Sequence, residues 1–261
     1  MKKSVTWYLL CTFITSWLLW GGLAVLMRLN LVQYGSPLFA LPYMLGGIMP
    51  AVCEILLKKK LSSREEFKAF LKSIISPKHS LPAYLMILGM AAVFCALPLL
   101  WGGAETRQPL YMAALLFPAM ILGGGLEEIG WRGFLQPTLE TRFSPLASTL
   151  MVGPIWAVWH LPLWFIPNTN QAGDNFLWFS LFVLAMSFLF TAVYRLTRSI
   201  FLCIVLHALI NALWEVFVPR MDALTAVLLM LVSLGCYAAL MYLHSRRGAR
   251  NARQLPAEQR V

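Results

Sequence analysis

Charge is what this sequence has least of. Asp, Glu, Lys and Arg supply 12% of its 261 residues, about half the share of a soluble globular protein, whose surface must be wetted. Polar residues this sparse cannot cover a water-facing surface, which excludes a soluble fold of one or two domains. Disordered, collagen-like, coiled-coil and disulfide-rich classes fall with it. Cys11, Cys53, Cys95, Cys203 and Cys236 form no C-x-x-C pair, and all lie in apolar runs. They read as small hydrophobes rather than disulfides or zinc ligands. No low-complexity tract and no convincing internal repeat is visible.

Apolar residues take up the difference, at 59% of the chain with a mean hydropathy of +0.70. Runs near the 20 residues needed to cross a bilayer occur eight times. They cover about Trp7 to Met27, Pro37 to Leu57, Leu81 to Trp101, Leu110 to Gln136, Leu146 to Ile166, Phe176 to Leu196, Ile200 to Val218 and Ala223 to Leu243. The expectation is an all-α, polytopic transmembrane bundle of about eight spans. The first run is too long for the apolar core of a secretory signal and no A-x-A site follows it, so it stays as a helix.

Three regions follow: N-terminal transmembrane helices over 1–109, a core over 110–218 that carries the chemistry, and the last helix with a basic tail over 219–261. The linker 58–80 sets Lys58, Lys59, Lys60, Arg64, Glu65 and Glu66 against Phe67, Phe70, Leu71, Ile74 and Ile75 at helical spacing. That pattern predicts an amphipathic helix lying on the membrane surface. The tail after His244 is expected to be disordered against anionic lipid.

A net charge of +10 would suggest nucleic acid in a soluble protein; here it reports topology. Of the 21 Lys and Arg, 18 fall on the side that holds both termini, and Arg28, Arg107 and Arg220 fall on the other. The positive-inside rule then makes both termini cytoplasmic. The expected partners are membrane lipid and a peptide or membrane-protein substrate, with no nucleic acid.

An ionisable side chain at the bilayer centre costs about 2.5–3.5 kcal/mol even on a lenient insertion scale, so each one needs a reason. The candidates are Glu54, Glu127, Glu128, Arg132, His160, His207 and Glu215. Glu128 and Arg132 are spaced i,i+4 and predict an ion pair, while Glu127 is rotated about 100° away and left available. A wetted loop beginning after Leu126 would also account for this charge cluster. Against it, Glu127 and His160 are equidistant from the polar turn Thr141 to Pro145, so a helical hairpin sets them at one depth. Trp156 precedes His160 by one turn, and Asn211 follows His207 by one turn. Glu215 is expected to be solvated near the interface, and Glu54 to snorkel towards or pair with the Lys58–Lys60 cluster.

No Ser-His-Asp set is apparent and no cysteine nucleophile is supported. A carboxylate with an imidazole partner can take a proton from water, and the His207–Asn211 pair could donate to an oxyanion. Hydrolysis of a peptide bond fits this set. Zinc is the competing account, because Glu127, His160 and His207 could supply three ligands, although no H-E-x-x-H motif is present. The residues leave open whether no cofactor is required or a divalent metal such as zinc is used.

Glu127-Glu128-x-x-x-Arg132, Trp156-x-x-x-His160 and His207-x-x-x-Asn211, in this order on successive spans, resemble the CPBP family of CAAX proteases and bacteriocin-processing enzymes, also called the Abi family. The family includes the type II CAAX prenyl endopeptidases. The resemblance covers about Leu115 to Val218, with Trp156 standing where the family motif usually has Phe. It implies an intramembrane endopeptidase in which Glu127 and His160 activate water and His207 and Asn211 stabilise the oxyanion. Glu128, Arg132 and Trp156 would support the site or position substrate, and such enzymes are often labelled metalloproteases. The short chain and basic tail look bacterial, which predicts a bacterial cytoplasmic membrane. Two other functions remain at this stage: a non-catalytic immunity or adaptor protein of the same fold, and a proton-coupled transporter using Glu54, Glu127 and Glu215.

Overall fold

Five short polar residues start the helices of this chain. Ser36, Ser63, Ser144, Asn175 and Ser199 each sit in extended backbone one residue before a helix and accept an N–H from its first turn, which satisfies donors that have no partner within the helix. At Ser63 the exchange is reciprocal, since Glu66 accepts from the Ser63 N–H.

The computed structural model describes residues 2–254, with side chains over 3–246. Its helices are α1 (Lys2–Arg28), α2 (Pro37–Leu61), α3 (Arg64–Ile74), α4 (Leu81–Ala96), α5 (Tyr111–Leu122), the short α6 (Glu128–Gly130) and α7 (Gln136–Glu140), then α8 (Pro145–Trp159), α9 (Phe176–Thr197), α10 (Ile200–Val216) and α11 (Ala223–Gln254). Among the described residues, seven segments are long and apolar enough to cross a membrane, and α10 is a shorter apolar helix. The chain is an integral membrane helical bundle. Helix α10 lies at its centre, with α4, α5 and α9 packed around it, while α1 pairs with α2 and α8 and α11 flank α9.

The fourth span is broken. Helix α5 stops at Gly123, a 3-10 turn covers Gly125–Glu127, α6 follows, a π turn spans Trp131–Leu135, and α7 completes it. Gly124 has φ +154°, and a Cβ there would run into Asn211 Nδ2 and approach His207 Nε2 at 2.8 Å. Only glycine fits such a conformation and such an approach. The wide π turn precedes Pro137, whose ring would crowd the carbonyl four residues back in a regular helix.

Two features went beyond the sequence. A short antiparallel pair joins β1 (Ala104–Thr106) to β2 (Phe217–Pro219), tying the connection after α4 to the end of α10. Helix α3 does not lie free on lipid: its Ile74 and Phe70 pack with Ala51, Ile129, Ile200 and Ile204 across the end of the bundle. His79 Nε2 lies 2.8 Å from Ser199 Oγ and pins the following connection to the start of α10. The helical backbone of α11 continues past His244 to Gln254, where a disordered tail was expected; residues 255–261 fall outside the described set.

Candidate active site

The broken fourth span delivers its charges to the bundle interior. Glu127, Glu128 and Arg132 are all buried, with Glu128 and Arg132 at 0% exposure, so no wetted loop begins after Leu126. Glu128 bridges two cations or potential cations: its Oε2 lies 3.3 Å from Arg132 Nη1, the expected i,i+4 pair, and its Oε1 accepts from His207 Nδ1 at 2.9 Å. A carboxylate can only accept, so His207 carries its proton on Nδ1 and presents Nε2 on the other side. Arg132 also donates to Ser187 Oγ at 3.0 Å and lies over the rings of Trp156 and Phe190 at 5.4 and 5.0 Å. Its flat guanidinium suits such stacking, which a lysine could not reproduce.

Glu127 is held differently. Its Oε2 accepts the indole N–H of Trp156 at 2.7 Å and that of Trp131 at 3.4 Å, which leaves Oε1 as the oxygen without an indole. Trp156 also fixes the neighbouring histidine. Pro162 disfavours helix at the residue before it, α8 ends at Trp159, and His160 turns its own N–H to Ala157 and Val158. The Trp156 carbonyl is thereby released, and it accepts from His160 Nδ1 at 2.9 Å. Again the oxygen can only accept, so the His160 proton sits on Nδ1 and Nε2 keeps its lone pair. Trp20, Trp159 and Phe179 surround the His160 ring with centroids 6.4, 4.6 and 5.2 Å away.

These groups face a cavity of about 990 Å³ lined by Glu127, Trp156, His160, His207 and Asn211. Asn211 donates from Nδ2 to the Gly123 carbonyl at 3.1 Å, keeping its second N–H, and lies beside His207 Nε2 across Gly124. Glu127, Glu128, Arg132, Trp156, His160, His207 and Asn211 therefore gather around one space or directly behind it. Glu127 and His160 meet through Trp156 rather than by a bond to each other. Among the described residues, no three His, Cys, Asp or Glu side chains converge as a metal-holding group.

Glu215 is exposed, as expected, and also borders the cavity, because the i+8 position keeps it on the face of His207. One expectation fails. Glu54 does not snorkel and makes no close ion pair, although the Lys58 charge acts on it: it is 2% exposed, with Oε2 unpartnered, because Pro50, four residues before it, packs against Gly130 and draws that stretch of α2 inward. Sequence reading also missed Trp131 and Ser187. Trp131 lies i+4 from Glu127, a spacing that could have found it; a serine in an apolar helix gives no such signal.

Residues 109–213, which contain Glu127, Glu128, Arg132, Trp156, His160, His207 and Asn211, match the family model described as "Type II CAAX prenyl endopeptidase Rce1-like". Over this core the chain is similar to the CAAX prenyl endopeptidases. A curated relative in this family, CAAX prenyl protease 2 of Methanococcus maripaludis, is 25% identical over 234 residues, covering 82% of this chain and 85% of its own. The similarity thus extends beyond the matched core into the N-terminal helices. Together the two similarities support a membrane protease.

Proposed function

We propose that the chain is an intramembrane endopeptidase of the glutamate type, with water activated between Glu127 and His160. Glu127 Oε1 takes a proton from the water while Oε2 stays fixed by the two indoles. The water oxygen attacks the scissile carbonyl, and the developing oxyanion is met by N–H groups from Asn211 Nδ2 and, when its ring is doubly protonated, His207 Nε2. Collapse breaks the C–N bond and returns the proton from Glu127 to the leaving amine. Glu128 and Arg132 position His207 and do not touch the substrate.

The observation that carries this reading is that three neighbouring side chains hold their second atoms in fixed bonds and leave Glu127 Oε1, His160 Nε2 and His207 Nε2 unused beside one cavity. Such preorganisation is what a catalytic site requires. A structural role would instead consume both ends of each group. The name of the curated relative suggests prenylated CAAX peptides as one substrate class, and the apolar wall formed by Met44, Met112, Leu116 and Met120 suits a hydrophobic or lipid-modified segment.

The test is Glu127→Gln, which keeps both indole bonds available but removes the base. Peptide termini in membranes bearing the wild type and this variant are compared by mass spectrometry. Loss of a set of cleaved termini, with cleavage reduced by about 10²–10⁴ or more, is expected; unchanged termini would remove Glu127 from the reaction.

A further inference from the structure

The cavity reaches only one end of the bundle. Its rim is built from Tyr34 after α1, Arg107 after α4, Asn170 after α8 and Asp222 after α10. Successive spans alternate in direction, so these four connections share a side, and the β1–β2 pairing ties two of them together. The lining of the helices stays on that side too, taking Tyr43 and Gly47 from the first half of α2, Phe179 to Met186 from the first half of α9, and His207 to Glu215 from the second half of α10.

The opposite end is filled. Gln136 and Thr191 bond to each other, Thr191 lies 2.8 Å from Thr149 Oγ1, and Arg195 pairs with Glu140 at 3.1 Å. Helix α3 covers the same end.

Charge divides along this axis. The connection 58–80 at the filled end carries seven Lys and Arg, and Arg142, Arg195, Arg198 and Arg246 add to them, whereas the rim end has Arg28, Arg107 and Arg220. Arg132, counted with the basic side from sequence, is a buried site residue and says nothing about orientation. Arg107 is paired with Glu105 and Arg220 with Asp222, while Asp174 and Glu215 leave the cavity rim with more acid than base. Basic connections are retained on the cytoplasmic side, so the filled end is the one that faces the cytoplasm.

We infer that the cavity opens on the non-cytoplasmic face of the membrane and that the enzyme cuts non-cytoplasmic juxtamembrane segments of membrane-inserted peptides. The substrate class rests on the protease reading; the orientation does not.

Single cysteines at Gln108 and Asn170, exposed on the rim, and at Lys60 and Arg142, exposed at the filled end, are introduced into the full chain. They are treated with a membrane-impermeant maleimide in intact and permeabilised cells, with the unmodified chain as the blank. Gln108→Cys and Asn170→Cys should label in intact cells, and Lys60→Cys and Arg142→Cys only after permeabilisation. The reverse pattern, or labelling at all four positions in intact cells, overturns the orientation. Cleavage plays no part in this readout, so cleaved termini identical with and without the chain would remove the protease reading and leave the orientation standing. With the orientation and Glu127 both upheld, termini lost in the Glu127→Gln membranes should lie on non-cytoplasmic segments; confinement to cytoplasmic ends overturns the substrate class.

Discussion

Around Gln136, Thr149 and Thr191 the polar side chains bond to one another, whereas around Glu127, His160 and His207 each polar side chain is bonded at one atom and open at the other. The first arrangement spends its hydrogen-bonding capacity on holding helices together. The second spends half of it on fixing direction. Stability and chemistry are thus separated along the axis of the bundle, and the Glu128–Arg132–His207 group lies at the boundary, serving both.

Removing the boundary should do the most damage. Arg132→Ala leaves the buried Glu128 carboxylate with only His207, and loss of one partner from a buried ion pair costs about 3–5 kcal/mol. Thermal unfolding in detergent should show the drop, together with loss of cleavage; a variant as stable as the parent would mean that Ser187 and the aromatic rings, not the charge, define this position.

On the hollow side, Asn211→Ala should lower kcat by about 10²–10³ with little change in unfolding, the cost of one oxyanion donor. An equal rise in KM with kcat intact would reassign Asn211 to substrate binding. On the filled side, Thr191→Val removes the hub of the threonine–glutamine contacts and should cost about 1–2 kcal/mol. Activity at a temperature where the variant is folded should be unchanged.

The smallest effect is expected outside the bilayer, at Asp222, whose carboxylate caps α11 by accepting from the Thr225 N–H at 2.9 Å. That backbone bond holds its pKa below the usual carboxylate value. The cap therefore stabilises at pH above that usual value and is lost as pH falls through the depressed one. Asp222→Ala should cost about 1 kcal/mol at neutral pH, and a pH series of unfolding temperatures should show the gap between variant and parent closing in acid.

Much of this architecture is legible in the sequence, for stated physical reasons. Length and hydropathy place the spans because lipid demands about 20 apolar residues per crossing. The Glu128–Arg132 pair and the His207–Asn211 pair follow from i,i+4 spacing on a regular helix. What escapes is where the backbone departs from regularity: the 3-10 and π turns between Gly125 and Leu135 alter the rotation per residue, so no periodicity argument carries Glu128 to His207. Glu54 was misplaced because four residues separate it from Lys58, a distance that reads as pairing until tertiary packing buries it. The β1–β2 pair is three residues long on each side and has no alternation to detect.

A cavity that stops half-way through a membrane protein reshapes the barrier around it. Water filling it carries the electrical potential of the compartment at its mouth, so the transmembrane voltage drops mainly across the filled half, where each elementary charge feels about 2.3 kcal/mol per 100 mV. Glu128 and Arg132 lie behind the part of the cavity wall that His207 forms. Thr149, Thr191, Gln136 and α3 close-pack the end of the bundle away from the cavity.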